Sequence, residues 1–278
     1  MNLPPQVSLQ TTIQTALLTG GSPSCLNAAV RLGSPVMVRS AFLDAGGSMT
    51  DTLTLLEHHH RGAAFSDLMV QTTPGRFDAD FWQFWQTHID PVVPTHPTLV
   101  DLGTGPGLAL KPWAEKYPQG RYVGADLMPY MLEKAGQILA GIPGVELLQT
   151  DLHDPQLPLD ANSVDVIQSV VVLHEMIQPI RLLQAAYGWL KPGGRLMLVD
   201  WVRAPIRVYF DAETEKSLFD PATDIDLLAD QVTHFCEHNR YAIDDLVWML
   251  KRVGFEVVAQ QPYREERFVR IAAQKPQR

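Results

Sequence analysis

The chain has 278 residues, of which 46% are hydrophobic and 19% charged. That composition can build a sizeable core and excludes a globally disordered polymer. With 22 Lys plus Arg against 31 Asp plus Glu, the formal charge is −9. No basic run offsets it, so the cationic excess that nucleic-acid binding draws on is missing.

Cys25 and Cys236 are the two cysteines. Their separation gives neither metal-ligand spacing nor a disulfide framework, which fits a reducing, cytoplasmic compartment. No positive segment followed by an apolar core marks a signal peptide. No apolar run reaches the roughly 18 residues that a membrane helix needs. Residues 1–24 are polar and broken by Pro4, Pro5 and Gly20-Gly21-Ser22-Pro23. Residues from about 25 to 90 read as helical, punctuated by Gly46-Gly47 and Pro74-Gly75. Residues 1–90 are therefore expected to form an N-terminal helical segment, or lid. Within it, His58-His59-His60-Arg61 are consecutive, so on a helix the three imidazoles point apart and cannot share one ion. Asp78 or Asp80 caps a helix whose apolar face is Phe81, Phe84 and Trp85. Pro91, Pro94 and Pro97 then form a linker.

From residue 98 short apolar strands alternate with amphipathic helices. Strands are expected at Thr98–Leu102, Arg121–Ala125, Val145–Gln149, Val164–Val171 and Arg195–Trp201. Helices are expected from about Gly107, over Met128–Leu139 and over Pro179–Leu190. Such alternation implies a parallel sheet covered on both faces. Residues 202–240 carry no strand signal. Tyr241–Val253 reads as a helix closed by Gly254, and Phe255–Gln260 and Arg267–Ala273 as two final strands able to pair antiparallel.

The first of these strands runs into Asp101-Leu102-Gly103-Thr104-Gly105-Pro106-Gly107. Glycines there let the backbone turn and approach a ligand, and the free N–H groups of the following helix face what is bound. The third glycine comes one residue too early for a dinucleotide fingerprint, and no Lys-Ser or Lys-Thr follows as in a phosphate-binding loop. Asp126 ends the second strand, where an acid can accept both hydroxyls of a ribose. Thr150-Asp151-Leu152-His153 ends the third, where a carboxylate could take an adenine amino group.

Together with Val164–Glu175 and the Leu190–Leu196 turn, these stretches resemble class I methyltransferases that use S-adenosylmethionine, over roughly residues 90 to 278. The resemblance implies an α/β fold: a doubly wound, seven-stranded sheet with its last strand antiparallel, a Rossmann-like methyltransferase fold, plus an N-terminal helical cap. The cofactor-binding domain would span 91–278 with a cap insertion at about 202–240. By resemblance, Asp101 holds the methionyl amino group. Gly103, Thr104, Gly105 and Gly107 pass beneath the methionyl and ribose parts. Asp126 takes the ribose hydroxyls, Leu127 and Met128 line the adenine, Asp151 and Leu152 bind its edge, and Ser169 offers backbone near the sulfonium.

Methyl transfer from a sulfonium mainly needs positioning and exclusion of water. A hydroxyl acceptor also benefits from a base. His174 and Glu175, just beyond the fourth strand, are candidates for that role or for lining the pocket. His234 and His238 lie four residues apart, so on a helix they share a face; His234 is a further candidate base, and one of His234, His238 or Arg240 is expected to line the pocket. No third ligand is evident for a metal. The expected activity is S-adenosylmethionine-dependent methylation of a small molecule, first of all at oxygen, with N- or C-methylation as alternatives. A protein or nucleic-acid methyltransferase, a non-catalytic cofactor-binding protein and an NAD-type oxidoreductase are the rivals, the last disfavoured by the early third glycine.

Overall fold

The computed structural model describes residues 38–40, 62–213 and 220–277. Its centre is an eight-stranded sheet of order β1-β4-β3-β2-β5-β6-β8-β7. The strands are β1 (Val38–Ser40), β2 (Thr98–Leu102), β3 (Arg121–Asp126), β4 (Val145–Gln149), β5 (Val164–Val170), β6 (Leu190–Trp201), β7 (Glu256–Tyr263) and β8 (Phe268–Gln274). Strand β2 pairs parallel with β3 on one side and β5 on the other. Strand β8 lies antiparallel between β6 and β7. Seven of the strands are those expected from sequence.

The helices are α1 (Gly62–Thr72), α2 (Ala79–His88), α3 (Leu110–Lys116), α4 (Pro129–Ile138), α5 (Ile180–Trp189), α6 (Ile206–Glu213), α7 (Ile225–His238) and α8 (Ile243–Val253). The pleat sends alternate strand residues to opposite faces, and the helices cover both. Val100, Ile167, Leu196 and Leu198 face a core with Leu182, Leu183 and Ala186 of α5 and Leu246 and Leu250 of α8. Leu99, Val166, Met197 and Val199 face another with Phe81 and Trp85 of α2, Trp113 of α3 and Leu132 of α4. A smaller cluster joins Tyr209 and Phe210 to Trp201, Leu228, Val232 and Phe235.

Two details differ from the sequence reading and one fills it in. Residues 38–40 are an edge strand paired parallel with β4, not helix; the open N–H and C=O groups along β4 accept it. The helix after the glycine loop begins at Leu110, and Pro112 falls in its first turn, where a missing N–H costs no helical bond. The 202–240 insertion is built from α6 and α7, the latter capped by Asp224, whose side chain accepts from the amides of Asp226 and Leu227. The His58-His59-His60 run and the 1–24 segment lie outside the described residues. Among the described residues no helix is long and apolar enough to cross a membrane.

Helix α2 is tied to the sheet by buried polar contacts. The Asp78 carboxylate caps α2 through the Phe81 amide at 2.7 Å and accepts from the buried guanidinium of Arg270 on β8 at 3.0 Å. The guanidinium also lies 3.9 Å from the centre of the Tyr263 ring. The indole N–H of Trp85, fully buried, reaches Asp90 at 2.9 Å and the Tyr117 hydroxyl at 3.0 Å. Removing so large a buried side chain leaves a cavity and takes one donor from Asp90, which keeps Tyr117 and Lys116. Trp85→Ala is therefore expected to lower unfolding free energy by about 3–5 kcal/mol, measured as a shifted urea midpoint.

Candidate functional site

Parallel pairing of β4, β3, β2, β5 and β6 brings their carboxyl ends to one edge, and the chain order reverses between β2 and β5. Ligands of open α/β sheets bind in the crevice at such a reversal. Each of these strands delivers a polar group there: Asp101 within β2, Asp126 at the end of β3, Asp151 just after β4, Gln168 and Ser169 in β5, and Asp200 in β6.

Asp101 is 3% exposed. Its carboxylate accepts from the Thr104 hydroxyl at 2.8 Å and the Gln168 amide at 3.2 Å. Burial pushes its pKa up to about 6 from an ordinary 3.8; the two hydrogen bonds oppose the rise and the Asp126 charge adds to it. A buried carboxylate in this state is a strong site for a cation. Asp126 accepts from the Gly105 amide at 2.8 Å through Oδ2 and from the Met128 amide at 2.9 Å through Oδ1. A carboxylate has about four lone-pair positions, so each oxygen retains capacity for a hydroxyl. Leu127 beside it is buried. Asp151 is buried and receives the His153 amide at 2.8 Å and the His153 Nδ1 at 3.1 Å, with Leu152 buried next to it.

The glycine loop joins these groups. Gly103, Gly105 and Gly107 all have φ in the left-handed region, at 76°, 53° and 76°. At Gly103 a Cβ would lie 2.2 Å from Val172 Cγ2, so the glycine admits close packing of the β5 end. At Gly105 a Cβ would meet nothing within 4 Å, so this glycine borders open space above the loop. Within the described residues the Ser169 hydroxyl and Gln168 Oε1 are buried with no hydrogen-bond partner. A buried acid, open space over the second glycine and unsatisfied polar atoms fit a polar, cationic ligand lying across the loop.

On the other side of β5 the backbone is strained. Val171, a β-branched residue, has φ of +61°, a conformation that such side chains rarely adopt and that clusters at functional sites. Its amide donates to Val199 at 2.7 Å. The turn that follows is gathered by Asp200, whose carboxylate accepts from the amides of Val172 at 3.3 Å and Leu173 at 2.6 Å and from His174 Nδ1 at 2.7 Å. His174 is 3% exposed and stacks on Trp201, with ring centres 5.5 Å apart. Glu175 Oε1 stands 3.8 Å from His174 Nε2.

Helix α7 closes over this group. His238 lies 5.0 Å from the His174 ring, centre to centre. His234, one turn back, lies 4.3 Å from the His238 ring and hydrogen-bonds the Tyr209 hydroxyl on α6. Thus His174, Glu175 and His238 come together, while His234 sits one layer further out. Arg240 follows α7, and its Nε is buried.

Sequence reasoning did not single out Asp200, Trp201, Tyr130 or Arg76. An acid closing an apolar strand, as at Asp101 and Asp126, was the available signal for Asp200. Tyr130, in the first turn of α4, has a buried hydroxyl; burial raises its pKa, and the charges of Asp126 and Glu175 raise it further. Arg76, ending the turn after α1, feels the charges of Glu175 and Asp200, which oppose the lowering of its pKa by burial.

Residues 100–198 match a family model described as a methyltransferase domain. Over those residues the chain is similar to that methyltransferase domain. It is similar to an arsenite methyltransferase of Halobacterium salinarum, 30% identical over 169 residues that cover 59% of this chain and 39% of the relative. It is also similar to a trans-aconitate 2-methyltransferase of Azoarcus sp., 38% identical over 103 residues covering 36% and 38%. The chain spans less than half the length of these curated relatives. The methyltransferase fold is shared with a geranyl diphosphate C-methyltransferase of Streptomyces coelicolor A3(2), solved with Mg2+, geranyl diphosphate and S-adenosyl-L-homocysteine. The TM-score is 0.53, at 15% identity over 72% of this chain and 81% of that one.

The two glycines of the methyltransferase loop separate folding from binding. Gly103→Ala combines a left-handed backbone with the Val172 clash and is expected to lower the melting temperature strongly. Gly105→Ala carries only the left-handed cost of about 1–2 kcal/mol and puts a methyl group into the open space. Its expected signature is a nearly folded protein with markedly weaker S-adenosylhomocysteine binding, read by melting and calorimetry in parallel.

Proposed function

We propose that the protein transfers the methyl group of S-adenosylmethionine to a small molecule, at an oxygen atom. The observation that carries the cofactor assignment is the set of three carboxylates, Asp101, Asp126 and Asp151, at the ends of three neighbouring parallel strands around the glycine loop. In this reading Asp101 attracts the methionyl ammonium with Thr104 fixing its rotamer. Gly103, Gly105 and Gly107 let the ligand lie against the backbone. Asp126 accepts the ribose hydroxyls while Leu127 and Met128 flank the adenine, and Asp151 with Leu152 takes the adenine edge. Ser169 offers polar atoms near the sulfonium.

The acceptor would enter on the His174 side of β5, beneath the 202–240 insertion. What supports oxygen is the concentration of basic atoms there. A hydroxyl loses its proton as it attacks the methyl group, and His174, Glu175 and their neighbours offer sites where that proton's departure can be assisted. The small-molecule reading is supported by the relatives named above and by the acidic balance of the chain, which lacks a net cationic excess for a nucleic-acid backbone.

The direct test is transfer of label from methyl-labelled S-adenosylmethionine into a panel of hydroxylated, amine and activated-carbon acceptors. Label in hydroxylated compounds is expected, and label confined to amines or carbon acids would refute the oxygen assignment. Asp126→Asn is expected to weaken S-adenosylhomocysteine binding about 10–100-fold, the scale of lost hydrogen bonds to a charged group; unchanged affinity would remove Asp126 from the ribose site.

Asp101 adds a pH signature. Binding a cation requires the carboxylate, whereas the free protein protonates it below about pH 6. Cofactor affinity should therefore fall as pH drops below 6, by up to about tenfold per pH unit, and the slope should flatten in Asp101→Asn. For stability the sign is opposite. The raised folded-state pKa favours the protonated form, so this group's contribution is fully present below about pH 4 and is lost as pH rises toward 6.

A further inference from the structure

The geometry points to a divalent metal site formed by His174, Glu175 and His238, beside the proposed cofactor crevice. One ligand atom from each of the three residues lies within 4.8 Å of the others. Two come from the turn after β5 and the third from the last turn of α7, so the site bridges the sheet edge and the insertion.

Proton placement favours a cation here. A carboxylate can only accept, so the 2.7 Å contact with Asp200 puts a proton on His174 Nδ1. In the neutral imidazole, Nε2 then presents a lone pair, and it faces Glu175 Oε1 at 3.8 Å. The Asp200–His174 pair is also the arrangement that metal-ligating histidines use: the distal ring nitrogen donates to a carboxylate, which fixes the tautomer and strengthens the ligating nitrogen.

Glu175 and Asp200 bring two carboxylates to this side of β5, and the Arg76 guanidinium feels both. Two imidazoles and one carboxylate suit Zn2+ and the neighbouring first-row ions rather than Ca2+ or Mg2+, which prefer all-oxygen shells. Ligand bonds of about 2 Å require the donor atoms to draw in from their present spacing of up to 4.8 Å. Three protein ligands leave coordination positions open to a small molecule. His234, against Tyr209, backs His238 without joining the three.

The site stands independently of which acceptor is methylated, so its test reads metal and not turnover. The full-length protein, stripped with a chelator, is titrated with Zn2+ by calorimetry and with Co2+ by its visible d–d spectrum. One equivalent is expected to bind. Glu175→Gln and His238→Gln should each weaken it at least tenfold, and Asp200→Asn about 10–100-fold, with melting curves confirming that each variant is folded. Asp126→Asn should leave Zn2+ affinity unchanged while weakening S-adenosylhomocysteine binding, which separates failure of this site from failure of the cofactor assignment. The proposal is overturned if no equivalent binds. It is equally overturned if binding survives both Glu175→Gln and His238→Gln and disappears only when His58, His59 and His60 are replaced by alanine.

Discussion

Parallel pairing of β2 with both β3 and β5 is the constraint from which the rest of the site follows. A parallel sheet aligns every carboxyl end on one edge, and the crossover helices α3, α4 and α5 must lie on its faces. Residues far apart in sequence then share a crevice without any loop having to bring them together. Asp101, Asp126, Asp151 and Asp200 belong to four strands or their ends and reach the edge by register alone. Burial of Asp101, Asp151 and Asp200 is tolerated because backbone amides and hydroxyl, amide and imidazole groups meet them, as Thr104 and Gln168 do for Asp101 and the Val172–His174 turn does for Asp200.

Much of the sheet was legible in the sequence because its signals are local. A short apolar run followed by glycines or an acid marks a strand end, and the 3.6-residue period marks the helices between. The glycine loop was readable for the same reason: its conformation is dictated by a few consecutive residues. The three-residue edge strand at Val38–Ser40 was not, since so short a segment is strand only by virtue of the partner that accepts it. Asp200 and Trp201 escaped for a topological reason. Their meaning depends on β6 lying next to β5, which places Asp200 under the His174 turn 26 residues away in sequence. Arg76 is likewise distant from the motif until the chain is folded, whereas Tyr130 lies just past Met128 and nothing in its local sequence marks its hydroxyl as buried. His234 and His238 were recognisable as sharing a helix face, but only the fold shows that His238, and not His234, is the one that reaches His174.

The two sides of β5 have different electrostatic characters. On the glycine-loop side, a carboxylate whose charge is poorly solvated waits for a cation. On the His174 side, carboxylates and imidazoles crowd a strained turn whose geometry Asp200 holds in place. The switch at Val171 separates them, so one strand end serves two polar sites that differ in what they can attract. The insertion supplies the second site with α7 while leaving the first to the sheet alone.

The hold of Asp126 on the Gly105 amide has a consequence for how a ligand arrives. That bond ties the tip of the glycine loop to β3 through the protein's own groups. The loop therefore need not surrender much conformational entropy on association, and the crevice is preorganised in the sense that raises affinity without adding contacts. The loop then acts as a fixed template to which a ligand fits.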